Sequence, residues 1–398
     1  MNKEAFDQGR DPLAHAQRAS GVILTAQAPH DAPDCMGRLQ QSLGFEPLAL
    51  LLLFVSPDAD FSAITQRAET LYPNTDVLAC TTAGEIGTDG YEEGMIIAIG
   101  FPREHYLASC LMVQPLSDID PQTVIDNVVQ AGVALRHAQE DFENGFAFLM
   151  VDGLSLREDM LASSVAAALG GMPFFGGSAG DGERFGDTFV ALNGEIRQDA
   201  GVIAMVRSHH DIRVFSLDHL EPQDRQMVVT EADPDQRIVK EINAEPAARE
   251  YARVVGKDPE QLDPFIFASH PVAVRIGDSH HVRAIQRVND AGELVFFSAI
   301  DEGMVLNVAE PANLVTHLDE ELTKLSAERT PGAILACDCL LRRIEAGQKQ
   351  MARDVSGVLN RHGVRGFSTY GEQIGPLHVN HTMTGVAIYP RDVTGTKD

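Results

Sequence analysis

The sequence predicts an α/β protein of repeated β-α-β-β units that form two mixed-sheet domains. One observation is a motif that occurs three times, in which an apolar strand runs into hydroxyl residues, a glycine and a carboxylate. The copies are Cys80–Glu85, Gly177–Asp181 and Gly366–Glu372. The other is spacing, because roughly 30–36 residues separate each motif from the start of the preceding apolar run, the length of a β-α-β unit.

The first unit begins with the apolar run Leu48–Val55, which is typical of a buried strand. A helix is predicted over about Phe61–Tyr72, because its apolar residues lie near one face and Pro73 ends it. A strand over Val77–Thr81 leads into the motif, and the strand Met95–Phe101 follows it. Before this unit we expect a strand within Ser20–Gln27 and a helix over Asp34–Leu43.

The second unit repeats this order of elements. After a strand candidate at Tyr106–Pro115, Asp120 and Pro121 open a helix that runs to about Glu140, since Asp suits the N-cap and Pro the first turn. The insert that follows the second motif predicts a hairpin with an Asn193-Gly194 turn. The remaining elements are a strand at Phe146–Val151, a helix over about Arg157–Leu169 and strands at Pro173–Gly176 and Gly201–Val206.

The third unit closes the chain, and a different region precedes it. We expect one long helix over about Leu340–Arg361, between strands at Ala333–Ala336 and Val364–Phe367, and a last strand at Thr384–Tyr389. The polar segment Glu221–Asp235 predicts a domain boundary. Asp235–Val255 is expected to be helical, Phe265–Ala309 to be rich in strands, starting with Phe265–Ala268, and Pro311–Leu325 to be a helix. The predicted domains are therefore 19–230 and 231–390, between a disordered leader at 1–18 and a tail at 391–398.

Composition narrows the possible functions. The 398 residues carry a formal net charge of −27, which argues against nucleic acid and anionic membranes as partners. The longest apolar run is too short to span a bilayer, and the N-terminus lacks a signal-peptide core, so we expect a cytoplasmic protein without membrane insertion. Five cysteines, an odd number, favour free thiols over a disulfide framework.

The candidate site follows from the strand ends, where β-α-β proteins collect ligands. The motifs and the loops before them supply hydroxyls, carboxylates and glycines that allow a close backbone approach. The expected ligand-binding residues are Thr82, Gly84, Glu85, Asp152, Ser178, Gly180, Cys339, Ser368, Tyr370, Glu372 and Asn380. Chain-turning glycines without a ligand remain the alternative at each copy.

Two features suggest more specific chemistry. His378 and His381 overhang the third motif and are candidate ligands of a metal or haem iron, although a histidine bonded to a backbone carbonyl is the alternative. Cys337 and Cys339 are best interpreted as two small buried thiols, although Cys339 stands at a strand-to-helix junction, where a helix N-terminus could lower its pKa. Gly176–Gly180 matches the Gly-x-Ser-x-Gly elbow of hydrolases around Ser178, but the residues that follow are a poor helix start.

The three motifs, together with His378-x-Asn380-x-Thr382, resemble the FIST sensory domain, whose N-terminal part would hold the first two copies and whose C-terminal part the third. The resemblance runs from about Ser20 to Tyr389. It implies a non-enzymatic sensor of a small ligand. The Cys337-Asp338-Cys339 and histidine forms resemble the haem-binding, nitric-oxide-sensing members, which act on a separate histidine kinase or cyclic-di-GMP enzyme.

The leading hypothesis is therefore a sensor that binds haem through a histidine and responds to nitric oxide, with a homodimer as one possible state. The alternative is a sensor of an amino-acid-like metabolite without haem, in which Arg275, Arg342 or Arg365 would pair the ligand carboxylate. Acyl transfer by Ser178 and a scaffold with a vestigial pocket stay open as further alternatives.

Overall fold

The computed structural model describes residues 22–138, 141–276 and 279–391. The predicted leader and almost all of the predicted tail lie outside the described residues. Within them the mixed α/β class is confirmed. The predicted β-α-β-β unit occurs three times, each time with an additional edge strand before it and a two-stranded hairpin within it.

The first unit places two helices among its strands. Helix α2 begins at an N-cap, because the Asp60 carboxylate accepts a hydrogen bond from the Ala63 N–H at 2.9 Å. The elements are β1 (Leu24–Pro29), α1 (Cys35–Leu43), β2 (Leu48–Val55), α2 (Phe61–Leu71), β3 (Asp76–Thr81), β4 (Glu85–Gly87), β5 (Gly90–Glu92) and β6 (Met95–Pro102).

The second unit has the same order. Its insert forms the predicted hairpin, in which Asn193 and Gly194 both have positive φ, as the tight turn requires. The elements are β7 (Tyr106–Val113), α3 (Pro121–Ala138), β8 (Asn144–Val151), α4 (Glu158–Ala168), β9 (Phe174–Ser178), β10 (Val190–Leu192), β11 (Glu195–Arg197) and β12 (Gly201–Ser208).

The third unit starts at β13 (Asp211–Asp218), which the sequence analysis did not predict, and is then interrupted by a separate sheet. We call residues 220–311 the inserted sheet. It contains β14 (Leu220–Asp233), β15 (Ile238–Ile242), β16 (Glu245–Pro246), α5 (Ala247–Val255), α6 (Pro264–Ser269), β17 (Val272–Ile276), β18 (Ser279–Arg283), β19 (Ile285–Val288), β20 (Leu294–Phe296) and β21 (Val305–Pro311).

After the inserted sheet the third unit resumes. Its elements are α7 (Leu314–Leu325), β22 (Ala333–Cys339), α8 (Leu340–Gln348), α9 (Ala352–Arg361), β23 (Val364–Thr369), β24 (Glu372–Ile374), β25 (Leu377–Val379) and β26 (Thr382–Tyr389). The single long helix that we predicted there is wrong. Gln350 has φ 58°, a left-handed conformation that ends α8 before α9 begins.

Two predictions for the inserted sheet are also wrong. The segment predicted as the strand Phe265–Ala268 is helix α6, whose N-cap Asp263 accepts from the Ile266 N–H at 2.9 Å. The predicted helix from Asp235 begins only at Ala247, because a strand and a turn precede it. The polar segment taken as a boundary is β14, a strand hydrogen-bonded to β15 and β21.

The three units exchange their hairpins in a cycle. Each sheet contains four strands of one unit and a hairpin of another. In order, they are the edge strand, the last strand, the strand before the helix, the strand that leads into the motif, and the hairpin. The orders are β1-β6-β2-β3-β10-β11, β7-β12-β8-β9-β24-β25 and β13-β26-β22-β23-β4-β5. Hairpins β4–β5 and β24–β25 start at the last residue of a motif and β10–β11 follows eight residues after one, so the exchange draws the three motifs together.

The main core lies between the three sheets. Phe54 stacks on Phe367 at a centroid distance of 4.4 Å and meets Phe148 edge-on at 6.4 Å, so side chains of all three units touch. The helices cover the outer faces, where each sheet has a second apolar cluster. The apolar faces of the sheets are therefore buried, which leaves the strand ends to carry polar groups.

Candidate functional site

The three motifs meet at one junction. Each pair of motifs is joined by backbone hydrogen bonds. They are Ala83 N–H to Ser368 O at 2.9 Å, Ser368 N–H to Gly84 O at 2.7 Å, Gly180 N–H to Thr81 O at 3.2 Å and Ser178 N–H to Gly371 O at 2.8 Å. The structure thus brings together the predicted motif residues, which lie far apart in the chain.

The junction is tightly packed. A Cβ added to Gly180 would lie 2.8 Å from the Ala83 Cβ and 2.9 Å from its backbone nitrogen. Any larger residue would push the first and second motifs apart. This glycine therefore allows a close approach of two chains, the structural role that the sequence left open.

In the first motif the carboxyl group is buried and fully bonded. Thr82 Oγ1 donates to Glu85 Oε1 at 2.5 Å, and the Met95 N–H donates to Glu85 Oε2 at 3.0 Å. Burial raises the pKa of Glu85 to about 7, although both hydrogen bonds oppose that rise. Near neutral pH this group can therefore gain or lose a proton when its surroundings change.

The second motif is closed by a side chain of the third. The Tyr370 hydroxyl donates to Asp181 Oδ1, and it accepts from the Asp181 backbone N–H at 3.1 Å. Asp152 lies nearby, at the end of β8. Its carboxylate accepts a hydrogen bond from the Asp199 N–H at 2.5 Å and another from the Thr188 hydroxyl. These bonds make Tyr370 and Asp152 anchors of loops.

The third motif repeats the threonine-to-glutamate bond of the first, since Thr369 Oγ1 donates to Glu372 Oε1. The other carboxyl oxygen of Glu372 and the Ser368 hydroxyl have no hydrogen-bond partner among the described residues, although both side chains are fully buried. Burial raises the pKa of Glu372 well above its usual range, because the charged form loses its hydration there.

The inserted sheet covers the third motif. Arg283 Nη1 donates to the His378 carbonyl at 2.6 Å, and the Ala284 N–H donates to Asn380 Oδ1 at 3.4 Å. The Gln373 amide donates to His378 Nδ1 at 3.1 Å. Asn380 and His378 are therefore packed beneath a lid of backbone and side chains.

His381 differs from His378. It is completely buried with φ 53°, and neither ring nitrogen has a hydrogen-bond partner in the described part of the chain. Burial lowers its pKa to about 3, so the ring is neutral and its nitrogen lone pair is available.

A large opening at the junction lies beside the first motif. This cleft, of about 1000 Å³, lies between the strand-end loops of the first unit, the segment Gly182–Arg184 that follows the second motif, and the outer faces of α8 and α9. Of the predicted residues only Gly84 and Glu85 line it. The other lining residues include Asp58, Tyr91, Glu92, Glu93, Glu183, Arg184, Leu340, Arg343, Ile344, Arg353 and Ser356.

Arg343 lines the cleft, and the sequence did not single it out. Its guanidinium donates to the Glu92 carbonyl at 2.8 Å and lies over the Tyr91 ring at 5.0 Å. Its one carboxylate partner among the described residues is Glu93, at 3.3 Å, whose side chain is 85% exposed. A carboxylate at this guanidinium therefore has little protein to displace.

The arginines predicted for a ligand carboxylate lie elsewhere. Arg342, next to Arg343 in the chain, is completely buried and donates to Asp338 at 2.7 Å. Arg365 is buried at the start of β23, and Arg275 lies on β17 of the inserted sheet. A signal for Arg343 was available, because it lies in the first turn of a helix that follows a strand end.

The two nucleophile hypotheses find no support in the geometry. Burial raises the pKa of the Cys339 thiol well above its usual range, so the expected lowering by the helix N-terminus is wrong. Ser178 is completely buried, and its hydroxyl accepts from the Gln373 amide at 3.0 Å, which cannot take its proton.

A haem would need room and an axial ligand. Among the described residues that line the cleft there is no histidine, cysteine or methionine, and the hydroxyl of Tyr91 donates to Asp338. His381 has the right donor chemistry but is completely buried and does not line the cleft. The described residues also contain no cluster of three or more histidines, cysteines or carboxylates that could hold a metal ion.

The fold and junction define a protein with a ligand-sized cleft at the strand ends. Two family models match the chain, the FIST N domain over residues 49–245 and the FIST C domain over residues 247–375. The chain therefore belongs to the FIST family, whose domains are sensory and generally not catalytic. A search of curated proteins gave no match.

The two matched ranges do not coincide with the structural units. The FIST N match includes β13, which belongs to the sheet of the third unit, and β14, which belongs to the inserted sheet. No helix in the described parts of the chain is long and apolar enough to cross a membrane.

Proposed function

We propose that the protein senses a small zwitterionic, amino-acid-like metabolite that binds in the cleft without haem. The single observation that carries this proposal is Arg343. Two backbone carbonyls fix its guanidinium in the cleft wall, and its ionic partner Glu93 is highly exposed. A ligand carboxylate would replace Glu93 with a better desolvated pair.

The rest of the cleft suits the ammonium group of such a ligand. Five acidic and three basic side chains line it, and Arg184 is already paired with Asp58 at 2.8 Å. Glu85 lies at its floor with a pKa near 7, so a nearby ammonium would favour its ionised form. We therefore expect ligand binding to release protons near neutral pH.

A thermal-shift panel of free amino acids and related carboxylates tests the proposal. A ligand at one hundred times its Kd should stabilise the protein by about 2.7 kcal/mol. Arg343→Gln should remove that stabilisation, because the amide has no charge for the carboxylate. The control is Arg361→Gln, which removes an exposed arginine outside the cleft and should leave the shift unchanged. A shift that survives Arg343→Gln would contradict the assignment.

A second candidate is a haem sensor for nitric oxide. It is favoured by His381, a buried neutral imidazole whose two ring nitrogens have no partner in the described part of the chain. If bound there, haem would supply the iron on which the gas binds. Since the cleft does not contain this histidine, haem entry would require the inserted sheet to move away from the third motif.

Reconstitution with haemin distinguishes the two candidates. A Soret band that shifts on binding and is lost in His381→Ala, but kept in His378→Ala, would support haem at His381. A spectrum equal to that of free haemin would remove this candidate and leave the metabolite sensor intact. In either case we propose a cytoplasmic protein that signals to a separate histidine kinase or cyclic-di-GMP enzyme, which co-purification can test.

A further inference from the structure

A chain of hydrogen-bonded side chains leads inwards from the cleft. Tyr91, in the cleft wall, donates its hydroxyl to Asp338 Oδ2. Arg342 Nε donates to the other oxygen of the same carboxylate at 2.7 Å. Tyr91 comes from the hairpin of the first unit, whereas Asp338 and Arg342 belong to the third, so the chain crosses between units.

The chain continues through a histidine of fixed tautomer. Arg342 Nη1 lies 3.1 Å from His219 Nδ1, and a guanidinium can only donate, so the imidazole proton must be on Nε2. That proton is donated to Glu345 Oε2 at 2.8 Å. Burial lowers the pKa of His219, so the ring is neutral at neutral pH.

The far end of the chain is an ionised carboxylate. Burial alone would raise the pKa of Glu345, but hydrogen bonds from His219 and Lys349 outweigh it and lower the pKa to about 2. Lys349 Nζ lies 2.8 Å from Glu345 Oε1 and is partly exposed. The chain therefore joins the cleft to a second point on the surface.

The interior side chains of this hydrogen-bonded series cannot replace a lost partner with water. The side chains of His219, Asp338, Arg342 and Glu345 are at most 2% exposed. Removing one bond would leave a buried charge or polar group unsatisfied. A displacement at one member is therefore passed to the next rather than absorbed by solvent.

His219 occupies the root of the inserted sheet. It lies between β13 and β14, and its carbonyl accepts from the Ala312 N–H at 2.8 Å. Leu220 and Pro311, the first and last residues of the inserted sheet, are paired next to it. The polypeptide enters the inserted sheet at Leu220 and leaves it at Pro311. Both ends are thus held next to His219, the residue that Arg342 contacts.

We propose that this chain couples the cleft to the inserted sheet, so that a ligand that shifts Tyr91 changes the position of the sheet through Asp338, Arg342 and His219. The inserted sheet is then the part of the protein that reports the ligand to a partner. This inference rests on the proposed function of the cleft, which it deepens by assigning the route of the signal.

Tyr91→Phe tests the coupling in the full chain without any ligand. The substitution removes only the hydroxyl that donates to Asp338. We expect the amide of Ala312 to exchange with deuterium about tenfold faster, as for the loss of one charge-assisted hydrogen bond. Tyr389→Phe is the matched control. Its hydroxyl donates to Leu325 O at 2.9 Å in the third unit, and neither residue belongs to the hydrogen-bonded series from Tyr91 to Lys349.

Arg342→Lys provides a second arm, since lysine keeps the charge beside Asp338 but lacks the fork that reaches His219. It should accelerate the same amide. Unchanged exchange at Ala312 in Tyr91→Phe, or equal acceleration in Tyr389→Phe, would overturn the coupling. Because no ligand is used, a cleft that binds no amino acid would not affect this result.

Discussion

The first and third motifs begin from the same local chemistry and end in different environments. In both, a threonine hydroxyl donates to a glutamate three residues later, as in Thr82 to Glu85 and Thr369 to Glu372. Glu85 has a partner for its second oxygen and faces an open cleft. Glu372 has none in the described part of the chain, and its motif is covered by the inserted sheet.

The difference shows that a repeated unit does not imply a repeated site. Only the third unit is interrupted by an additional sheet, and that sheet occupies the side from which a ligand would approach. The first motif keeps its approach open, because the neighbouring hairpin, α8 and α9 form walls instead of a cover. The cleft beside the first motif is therefore open to solution, whereas the residues that follow the third motif are covered by the inserted sheet.

The largest difference in stability between variants of the two motifs is expected when a glycine of each is replaced by alanine. A Cβ on Gly366, where φ is 154°, would overlap the carbonyl oxygen of Ala336, which is backbone and cannot move away. On Gly84, with φ 123°, it would meet the guanidinium of Arg343, the end of a long side chain that can give way by losing its bonds to two backbone carbonyls. Gly366→Ala should cost about 4 kcal/mol or prevent folding, and Gly84→Ala about 1–2 kcal/mol. Urea denaturation measures both, and equal losses would contradict the contrast.

The next largest effect is expected from the ion pair that attaches the inserted sheet to the second unit. Arg237 of the inserted sheet forms a buried ion pair with Glu158 of α4, with both side chains at most 3% exposed. Arg237→Met should cost about 3 kcal/mol, because it leaves Glu158 buried and unpaired. Arg157→Met removes the neighbouring exposed pair with Asp235 and should cost less than about 1 kcal/mol. Similar costs for the two variants would mean that the buried pair does not hold the cover.

The third effect depends on pH and concerns the protonation of Glu85. Its pKa is about 7 in the folded state against 4.5 in the unfolded state, so the folded protein keeps a proton that the unfolded chain loses. This contribution is present in full below pH 4.5 and is lost as the pH rises to about 7, which amounts to about 3 kcal/mol. Glu85→Gln abolishes this loss, so its stability relative to the parent should rise from pH 4.5 to pH 8.

The same comparison with Glu372→Gln sharpens the prediction. Burial raises the pKa of Glu372 as well, so its contribution should also be lost as the pH rises above the pKa of an unfolded glutamate, and Glu372→Gln should abolish that loss. Denaturation curves of the two variants and the parent, measured across the pH range, provide the test. A constant difference between Glu85→Gln and the parent would mean that this carboxyl does not titrate with a raised pKa.

The sequence predicted those parts of the fold that depend on local patterns. Apolar runs such as Leu48–Val55 gave strands, and Asn193-Gly194 gave its hairpin turn. Errors arose where one signal outweighed another. The capped proline start at Asp263 makes a helix of residues that an apolar, aromatic composition had assigned to a strand, and a left-handed Gln350 divides a helix whose amphipathic pattern continues across it.

The site was predicted less completely. The sequence drew attention to the motif residues, and the structure brings all three motifs to one junction. It did not predict that Tyr370 would close the second motif or that Arg343, rather than Arg342, would face the cleft. These outcomes depend on which face of a helix or hairpin meets another unit, and local periodicity carries no information on that choice.

The sequence by itself determined the repeated unit, the family and the kind of residues at each strand end, because these follow from short stretches of neighbouring side chains. Only the tertiary structure decided the cyclic exchange of hairpins, the cover on the third motif and the open cleft at the first. Those features come from contacts between residues hundreds of positions apart, where the burial of apolar faces selects the partner. The same packing places one of two equivalent glutamates, Glu85, beside an open cleft and buries the other, Glu372, beneath the inserted sheet.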